Sequence, residues 1–407
     1  MNRDVIVCGA GAAGMCAAIY AARNGAHVTI IEKNSCLGKK LSMTGNGRCN
    51  LTNLDMREEY YNPSARGRMK EWLSTYGVED VISFFKSMGV VVKSEEGYIY
   101  PVSGQAMSVV NALENEIKRL EITVNFGEQV KGVKCFDAGR VKLTTNKTEY
   151  EADAVILAMG ALSGAKSTMS TGDGYYICKN IGMTVKDTHP ALVGFKVAEG
   201  EIMPSAGVRA AAEVSFILGS ELLAKEKGEV QLNHDGISGI PVMQASREII
   251  QFVEEKKPVY AVLDFFPDYD ETDFNALKAD MLKLRDERSL EDFLQGFANS
   301  GITDMVLGRM KLGRKMKMKN ISISMAECIL DSYRNVKIAL DTSYGYQASQ
   351  VTTGGISLGD IGSDFSCKGT PGVYCVGELL DVDGRCGGYN LQFAWTSGSI
   401  AGCAASL

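Results

Sequence analysis

Gly9-Ala10-Gly11-Ala12-Ala13-Gly14 follows a short apolar run, Val5 to Cys8, and opens an alanine-rich segment with helical spacing. In this G-x-G-x-x-G spacing Gly9 allows a tight turn, Gly11 lets a diphosphate approach the backbone, and Gly14 lets helix and strand pack closely. The amides at the helix N-terminus then face the phosphate charge. A second apolar run, Val28 to Ile31, ends at Glu32, where a carboxylate can bind ribose hydroxyls and disfavours a 2′-phosphate. The six residues alone are a weak signal. Strand, glycine turn, helix, strand and acid in register predict a dinucleotide site, with NAD and FAD both open at this point.

Directly after the acid come Gly38-Lys39-Lys40-Leu41 and Thr44-Gly45-Asn46-Gly47-Arg48-Cys49-Asn50. Such a density of polar groups and glycines suits a cofactor extending past its diphosphate; the alternative is a surface loop rich in turn residues. Near the C-terminus an apolar run, 373–376, ends at Gly377-Glu378, and Gly387-Gly388-Tyr389-Asn390 opens another helix. Its free amides and positive dipole end suit the anionic edge of a reduced flavin. Asp381 and Asp383 lie between them, either as acceptors for ribityl hydroxyls or as turn caps. Asp173, in Thr171-Gly172-Asp173-Gly174, reads as a helix N-cap.

A flavin performs two-electron transfer itself, so the protein must supply orientation and protons. Of three histidines, His27 opens a strand and His189 precedes Pro190 at a domain crossover. His234, in Asn233-His234-Asp235-Gly236, is the candidate proton donor or substrate ligand, against a satisfied turn residue. Tyr389 is a candidate partner for a substrate carbonyl, against packing at a helix end. Arg48 is a candidate for an anionic substrate or a flavin oxygen, against a structural ion pair. Cys49 and Cys386 read more simply as packed thiols than as a redox pair. The basic run Arg309, Lys311, Arg314, Lys315, Lys317, Lys319 and the acidic run 264–273 read first as solvated faces. For the basic run the sharper alternative is the phosphates of NAD(P)H or a coenzyme A thioester.

These residues need a frame. At roughly 150 residues per domain, 407 residues predict two or three units. Hydrophobic residues at 45% and charged residues at 23% exclude a disordered or fibrous chain. There are 44 glycines and only 8 prolines, which points to close backbone approaches rather than flexible linkers. A net charge of −6 implies no basic face for nucleic acid. Eleven cysteines without a C-x-x-C pair fit reduced thiols, hence a cytoplasmic protein without a metal site. No run of 18 apolar residues suggests a membrane span. The expected partner is a small-molecule substrate, with neither nucleic acid nor membrane; the oligomeric state is open. Periodicity predicts helices near 12–24, 66–76, 78–88, 106–120, 174–182, 241–252, 272–286, 323–333 and 389–403. Strands are predicted near 122–126, 129–136, 140–145, 154–158, 192–197 and 259–265.

Four stretches closely resemble the FAD-binding family that includes aminoacetone oxidase and the BaiN/YhiN-type flavoproteins. They are GAGAAG with Glu32-Lys33, GKKLSMTGNGRCNLTN, GEVQLNHDGISGIP at 228–241, and GVYCVGELLDVDGRCGGYNLQFAWTSGSIAG at 372–402. Ile240 stands where many relatives run glycine directly into proline, which leaves the local substrate contacts open. The resemblance implies an α/β fold: a Rossmann-like FAD-binding domain of two-dinucleotide type, formed by 1–186 plus 346–407. Inserted at 187–345 would be a mainly β, barrel-like substrate domain with a helical part near 268–333.

The candidate FAD ligands are then Gly9, Ala10, Gly11, Ala12, Ala13 and Gly14, with Glu32, Lys33, Lys39 and Lys40. From the following loop come Thr44, Gly45, Asn46, Gly47, Arg48, Cys49 and Asn50. Val130, Ala158 and Gly160 add to these, as do Gly377, Glu378, Asp381, Gly388, Tyr389, Asn390 and Leu391. The implied activity is that of an FAD-dependent oxidoreductase with hydride transfer through flavin N5. BaiN-like relatives are linked to bile-acid enone reduction, and the TGDG turn resembles that of fumarate-reductase-like and ketosteroid-dehydrogenase-like enzymes. The leading expectation is therefore NAD(P)H-supported reduction of a conjugated C=C bond in a small or steroid-like substrate. One rival is an oxidase of a small amine such as aminoacetone, using O2. Another is a non-enzymatic flavin-binding protein with a regulatory or RNA-associated role.

Overall fold

The computed structural model describes residues 3–136, 140–205 and 207–407. It divides into two compact units, Met1–His189 with Gln350–Leu407, and Pro190–Ser349. The divisions fall a few residues beyond the boundaries 186/187 and 345/346 read from the sequence.

The first unit opens with β1 (Asp4–Cys8), α1 (Ala12–Arg23) and β2 (His27–Glu32). A tight turn, α2 (Thr44–Gly47), and β3 (Thr52–Asn53) lead to α3 (Arg66–Thr75) and α4 (Val78–Ser87). The hairpin β4 (Val92–Glu95) and β5 (Tyr98–Pro101) precedes α5 (Ala106–Arg119) and β6 (Thr123–Phe126). A meander follows, β7 (Val130–Cys135), β8 (Val141–Thr145) and β9 (Glu149–Ala152), then β10 (Ala154–Leu157), α6 (Ala165–Thr168) and α7 (Asp173–Asn180). After the crossover strand β11 (Val185–Ala191) come β12 (Phe195–Val197), β13 (Val208–Leu218), β14 (Glu221–Asn233) and β15 (Gly236–Gly239). Next are α8 (Ile240–Glu254), β16 (Val259–Asp264), α9 (Glu271–Leu282), α10 (Leu290–Leu294), α11 (Ser300–Arg309), α12 (Ile323–Asp331) and β17 (Val336–Ser343). The chain returns to the first unit with β18 (Val351–Ile356), β19 (Val373–Cys375) and α13 (Tyr389–Ala405).

The first unit is built on a parallel sheet of order β19-β10-β1-β2-β6. Every residue of β10 and β19 is buried, so both strands read as unbroken apolar runs. Against this sheet α1 and α13 meet backbone to backbone. A Cβ at Gly398 would stand 2.5 Å from the Ala13 carbonyl oxygen, and one at Gly402 would overlap the Ala17 backbone. Alanine on one helix and glycine on the other are what join the chain ends. Large aromatics fill the remaining core: Trp72 stacks on Phe365 at 4.5 Å and Trp395 meets Phe85 edge-on at 5.0 Å.

The second unit is a closed six-stranded barrel of order β12-β15-β14-β13-β16-β17, with α9 to α12 as its helical part. The α/β class and the barrel-like second domain thus follow the sequence reading. Two details correct it. The strand expected over 192–197 is interrupted at Leu192, whose φ of +50° lies outside the β region, and β12 starts only at Phe195. Gly172, with φ +71°, takes the N-cap position of α7; Asp173 is the first helical residue.

Candidate FAD site in the first unit

The site grows from the carboxyl ends of β1, β10 and β19. Gly9 has φ +104°, and a Cβ there would stand 2.5 Å from the Ala158 oxygen; a Cβ at Gly14 would overlap the Gly9 carbonyl. Strand, turn and helix therefore touch without side chains between them. Gly11 differs: a Cβ there meets nothing within 4 Å, and no side chain caps α1. The turn thus presents open backbone amides at a positive dipole end, as a diphosphate requires. Glu32 is buried and holds the turn in place. Its Oε2 accepts from the Ala10 amide at 2.7 Å, and its Oε1 accepts from the Asn34 amide at 2.7 Å.

The loops above the sheet form one polar network. Lys40 Nζ donates to Glu378 Oε2 at 2.5 Å and to Ser163 Oγ at 2.5 Å. Glu378 Oε1 accepts from the Thr352 amide at 3.0 Å and from Ser163 Oγ. Lys40 so bridges loops that follow β2, β10 and β19. Beside it, Lys39 donates to Asn34 Oδ1 at 3.3 Å, and Lys33 donates to Thr171 Oγ1 at 3.2 Å with Asp173 at 3.7 Å. Burial opposes it, but hydrogen bonds from Gln129 and Thr171, with Lys33 and Lys131 nearby, keep the Asp173 carboxyl below its usual range. Gly160 (φ +69°) is open, Ala158 is buried against the glycine turn, and Val130 is buried at the start of β7.

In the second loop Thr44 Oγ1 donates to the Leu41 oxygen at 2.7 Å, and Gly45, Asn46 and Gly47 form an exposed left-handed turn. Cys49 (φ +62°) is fully buried, and burial pushes its thiol up to about 12. It is a packed thiol. Arg48 pairs with Glu95 at 2.5 Å and lies over the Tyr100 ring at 4.1 Å. Asn50, oriented by its neighbours, donates to Thr52 O at 2.9 Å and accepts from Gly388 N at 3.2 Å. This links the loop to the α13 N-terminus, where a Cβ at Gly388 would stand 2.7 Å from the Thr52 carbonyl. Gly377 N donates to Ser397 Oγ at 3.0 Å. Asn390 Oδ1 accepts from Gly384 N at 2.8 Å, and Leu391 is partly buried against the core.

Among the proton candidates, Tyr389 is buried and donates its hydroxyl to Asp55 O at 3.1 Å. Asp381 is held by three donors: Asn62, Ser64 at 2.8 Å and Lys186 at 2.6 Å. Asp383 accepts from Thr353 Oγ1 at 2.8 Å. Both acids are structural clamps before they are ribityl acceptors. Every candidate except His234 lies in the first unit; His234 belongs to the barrel unit, with a side chain 79% exposed and Nδ1 3.8 Å from Asp235. Sequence reasoning missed Ser163, Thr352, Asn62, Ser64 and Lys186; no motif marks them.

The model of the HI0933-like protein Rossmann domain matches residues 3–404. The chain belongs to the HI0933-like Rossmann family. It is 36% identical to the 3-dehydro-bile acid delta(4,6)-reductase of Clostridium scindens, over 100% of this chain and 99% of that protein. It is 28% identical to the ribosomal RNA dihydrouridine synthase of Haemophilus influenzae, over 99% and 98% respectively. The fold is also that of a 3-ketosteroid-delta4-(5alpha)-dehydrogenase from Rhodococcus jostii, with a TM-score of 0.55 at 15% identity, covering 100% of this chain and 97% of that one. Membership in the HI0933-like family makes the protein an FAD-dependent oxidoreductase, and the geometry suits that cofactor. The open space at Gly11 and Gly160, the uncapped helix start and the side-chain-free turn are what its diphosphate needs.

Four of the six basic residues in the run 309–319 are held in ion pairs. Arg309 pairs with Glu201, Arg314 with Asp304 and Glu291, Lys315 with Glu291 at 2.8 Å, and Lys319 with Glu287 at 2.9 Å. This favours a solvated, neutralised face over a phosphate site. Among the described residues no helix is long and apolar enough to cross a membrane, and no group of three or more metal-ligating side chains could hold an ion.

Proposed function

We propose that this protein is an FAD-dependent reductase of a C=C bond conjugated to a carbonyl in a small, steroid-like substrate, with NADH or NADPH as electron donor. The observation that carries this reading is the 36% identity, end to end, to an enzyme named for reducing a bile acid at its 4,6 positions. Dihydrouridine synthesis, the reaction in another relative's name, also saturates a C=C bond beside a carbonyl. One bond type joins the two.

Bound FAD would supply the two-electron transfer. The chain's residues do the rest. The amides of Gly11 to Gly14 and the α1 dipole would hold the diphosphate, and Glu32 would offer its remaining lone pairs to a ribose. The Lys40–Glu378–Ser163 network fixes the loops on either side. The positive dipole end of α13, at Tyr389, would favour negative charge on the reduced cofactor. Arg48 exchanges Glu95 for an anionic substrate group. Tyr389 keeps its proton across the physiological range, because burial and then the charge of Asp55 push its phenol up to about 12. Turned away from the Asp55 carbonyl oxygen that it meets at 3.1 Å, its hydroxyl would donate to a substrate carbonyl. His234 is the second candidate proton donor.

Anaerobic stopped-flow tests the reading. NADH or NADPH should bleach the purified yellow protein, and a steroid 4,6-dien-3-one acid should restore the colour. Bleaching by aminoacetone and by neither nicotinamide would move the protein to the amine oxidases.

The relative's name favours one further reading, reduction of uridine in ribosomal RNA. The net charge of −6 and the mostly ion-paired basic run support the small molecule instead. Loss of dihydrouridine from ribosomal RNA in a deletion strain, with no turnover of steroid enones, would reverse that order.

A further inference from the structure

The small sheet β3-β5-β4 of the first unit ends in β4, which has β5 on one side and, among the described residues, no strand on the other. Two backbone bonds fix which groups point outward. Leu51 N donates to Ile99 O, so Ile99 faces β3; Val102 N donates to Val91 O at 2.8 Å, so 98, 100 and 102 face β4. The register pairs Lys93 with Tyr100 and Glu95 with Tyr98. Lys93 and Glu95 thus spend their backbone groups on β5, while Val92 and Ser94 turn theirs away from it. On the same face as Lys93 and Glu95, Val91 is 69% exposed and its cross-strand neighbour Val102 is 53% exposed. An open edge beside exposed branched side chains is a template for another strand.

From this edge we infer that β4 pairs antiparallel with β4 of a second copy of the chain, about a two-fold axis at Ser94. The charges choose the register. Only a few alignments match the outward groups at 92 and 94. Centring on Lys93 sets lysine against lysine, and centring on Val92 sets Lys93 against Val91. Centring on Ser94 sets Lys93 against the second copy's Glu95 twice, once on each side of the axis. Opposite charges directly across a strand pair stabilise it and like charges oppose it. The Lys93–Glu95 contact of 2.9 Å within one chain already holds both side chains on this face. The pairing joins the two three-stranded sheets into one continuous sheet. Glu95 also accepts from Arg48 at 2.5 Å, so the pairing and the substrate group proposed for Arg48 share one carboxylate.

Sedimentation equilibrium on the full-length holoprotein tests this, up to roughly 100 µM, where a small interface still registers. Wild type should self-associate. Lys93→Glu and Glu95→Lys should each weaken association roughly tenfold, since each turns two attractive pairs into repulsive ones. An equimolar mixture of the two variants should associate again, because each supplies the charge the other lacks. Unchanged far-UV circular dichroism of both variants shows that they fold. A monomeric wild type overturns the inference, as does a mixture that associates no better than the separate variants.

Discussion

At the scale of single residues, three glycines of one motif do different work, and substitution separates them. A Cβ at Gly14 overlaps the Gly9 carbonyl, whereas one at Gly11 meets nothing within 4 Å. Gly14→Ala should cost on the order of 3 kcal/mol of stability, as overpacking against backbone does. Gly11→Ala should leave the melting temperature of the apoprotein unchanged and weaken FAD binding, since the methyl occupies the space meant for the diphosphate. Thermal melts with and without FAD check both; equal loss of stability would refute the division of labour. Cys49 offers a second check. With its thiol pushed up to about 12 by burial, native protein should resist alkylation there at pH 8, while the exposed Cys36 and Cys328 react. Glycines and Glu32 were legible in the sequence because their spacing is local. The Lys40–Ser163–Glu378 network was not, because its partners lie 123 and 215 positions apart and each is an ordinary polar residue by itself.

At the scale of elements, Arg23 at the end of α1 reaches Glu116 on α5 at 2.7 Å, and Arg119 holds the same carboxylate at 2.7 Å. The hydrogen bond from Arg119, opposed by burial and reinforced by Arg23, lowers the Glu116 carboxyl from 4.5 to about 2. Its folded value lies below its unfolded one, so the tie contributes fully above that ordinary value and is lost as pH falls toward about 2. Glu116→Gln should therefore cost about 2 kcal/mol at neutral pH, and the gap should narrow by pH 3. Urea midpoints at both values read it; a gap independent of pH would contradict the assignment. Amphipathic elements such as α4 and α5 were legible from their apolar spacing. The β13–β14 hairpin was not. Glu221–Asn233 is full of leucine, alanine, lysine and glutamate, which favour helix. Closure of the barrel overrides that preference, with strands paired on both sides of each hairpin arm.

At the scale of the molecule, the two chain ends make one unit because α13 presents Gly398 and Gly402 to the backbone of α1. That union was readable from glycine motifs at both ends; the extent of the barrel was readable only as a change of texture. What the union makes is a dinucleotide cradle whose far end is a second helix start, and the account assigns to it the saturation of a conjugated C=C bond. The most direct test is to reduce the holoprotein anaerobically with dithionite, remove the excess, and mix it with one equivalent of a steroid 4,6-dien-3-one acid. The account predicts rapid return of the oxidised flavin spectrum and a product heavier by two hydrogens, formed in proportion to flavin. Reduced protein that stays colourless with the enone, yet regains its colour with oxygen alone, would contradict it.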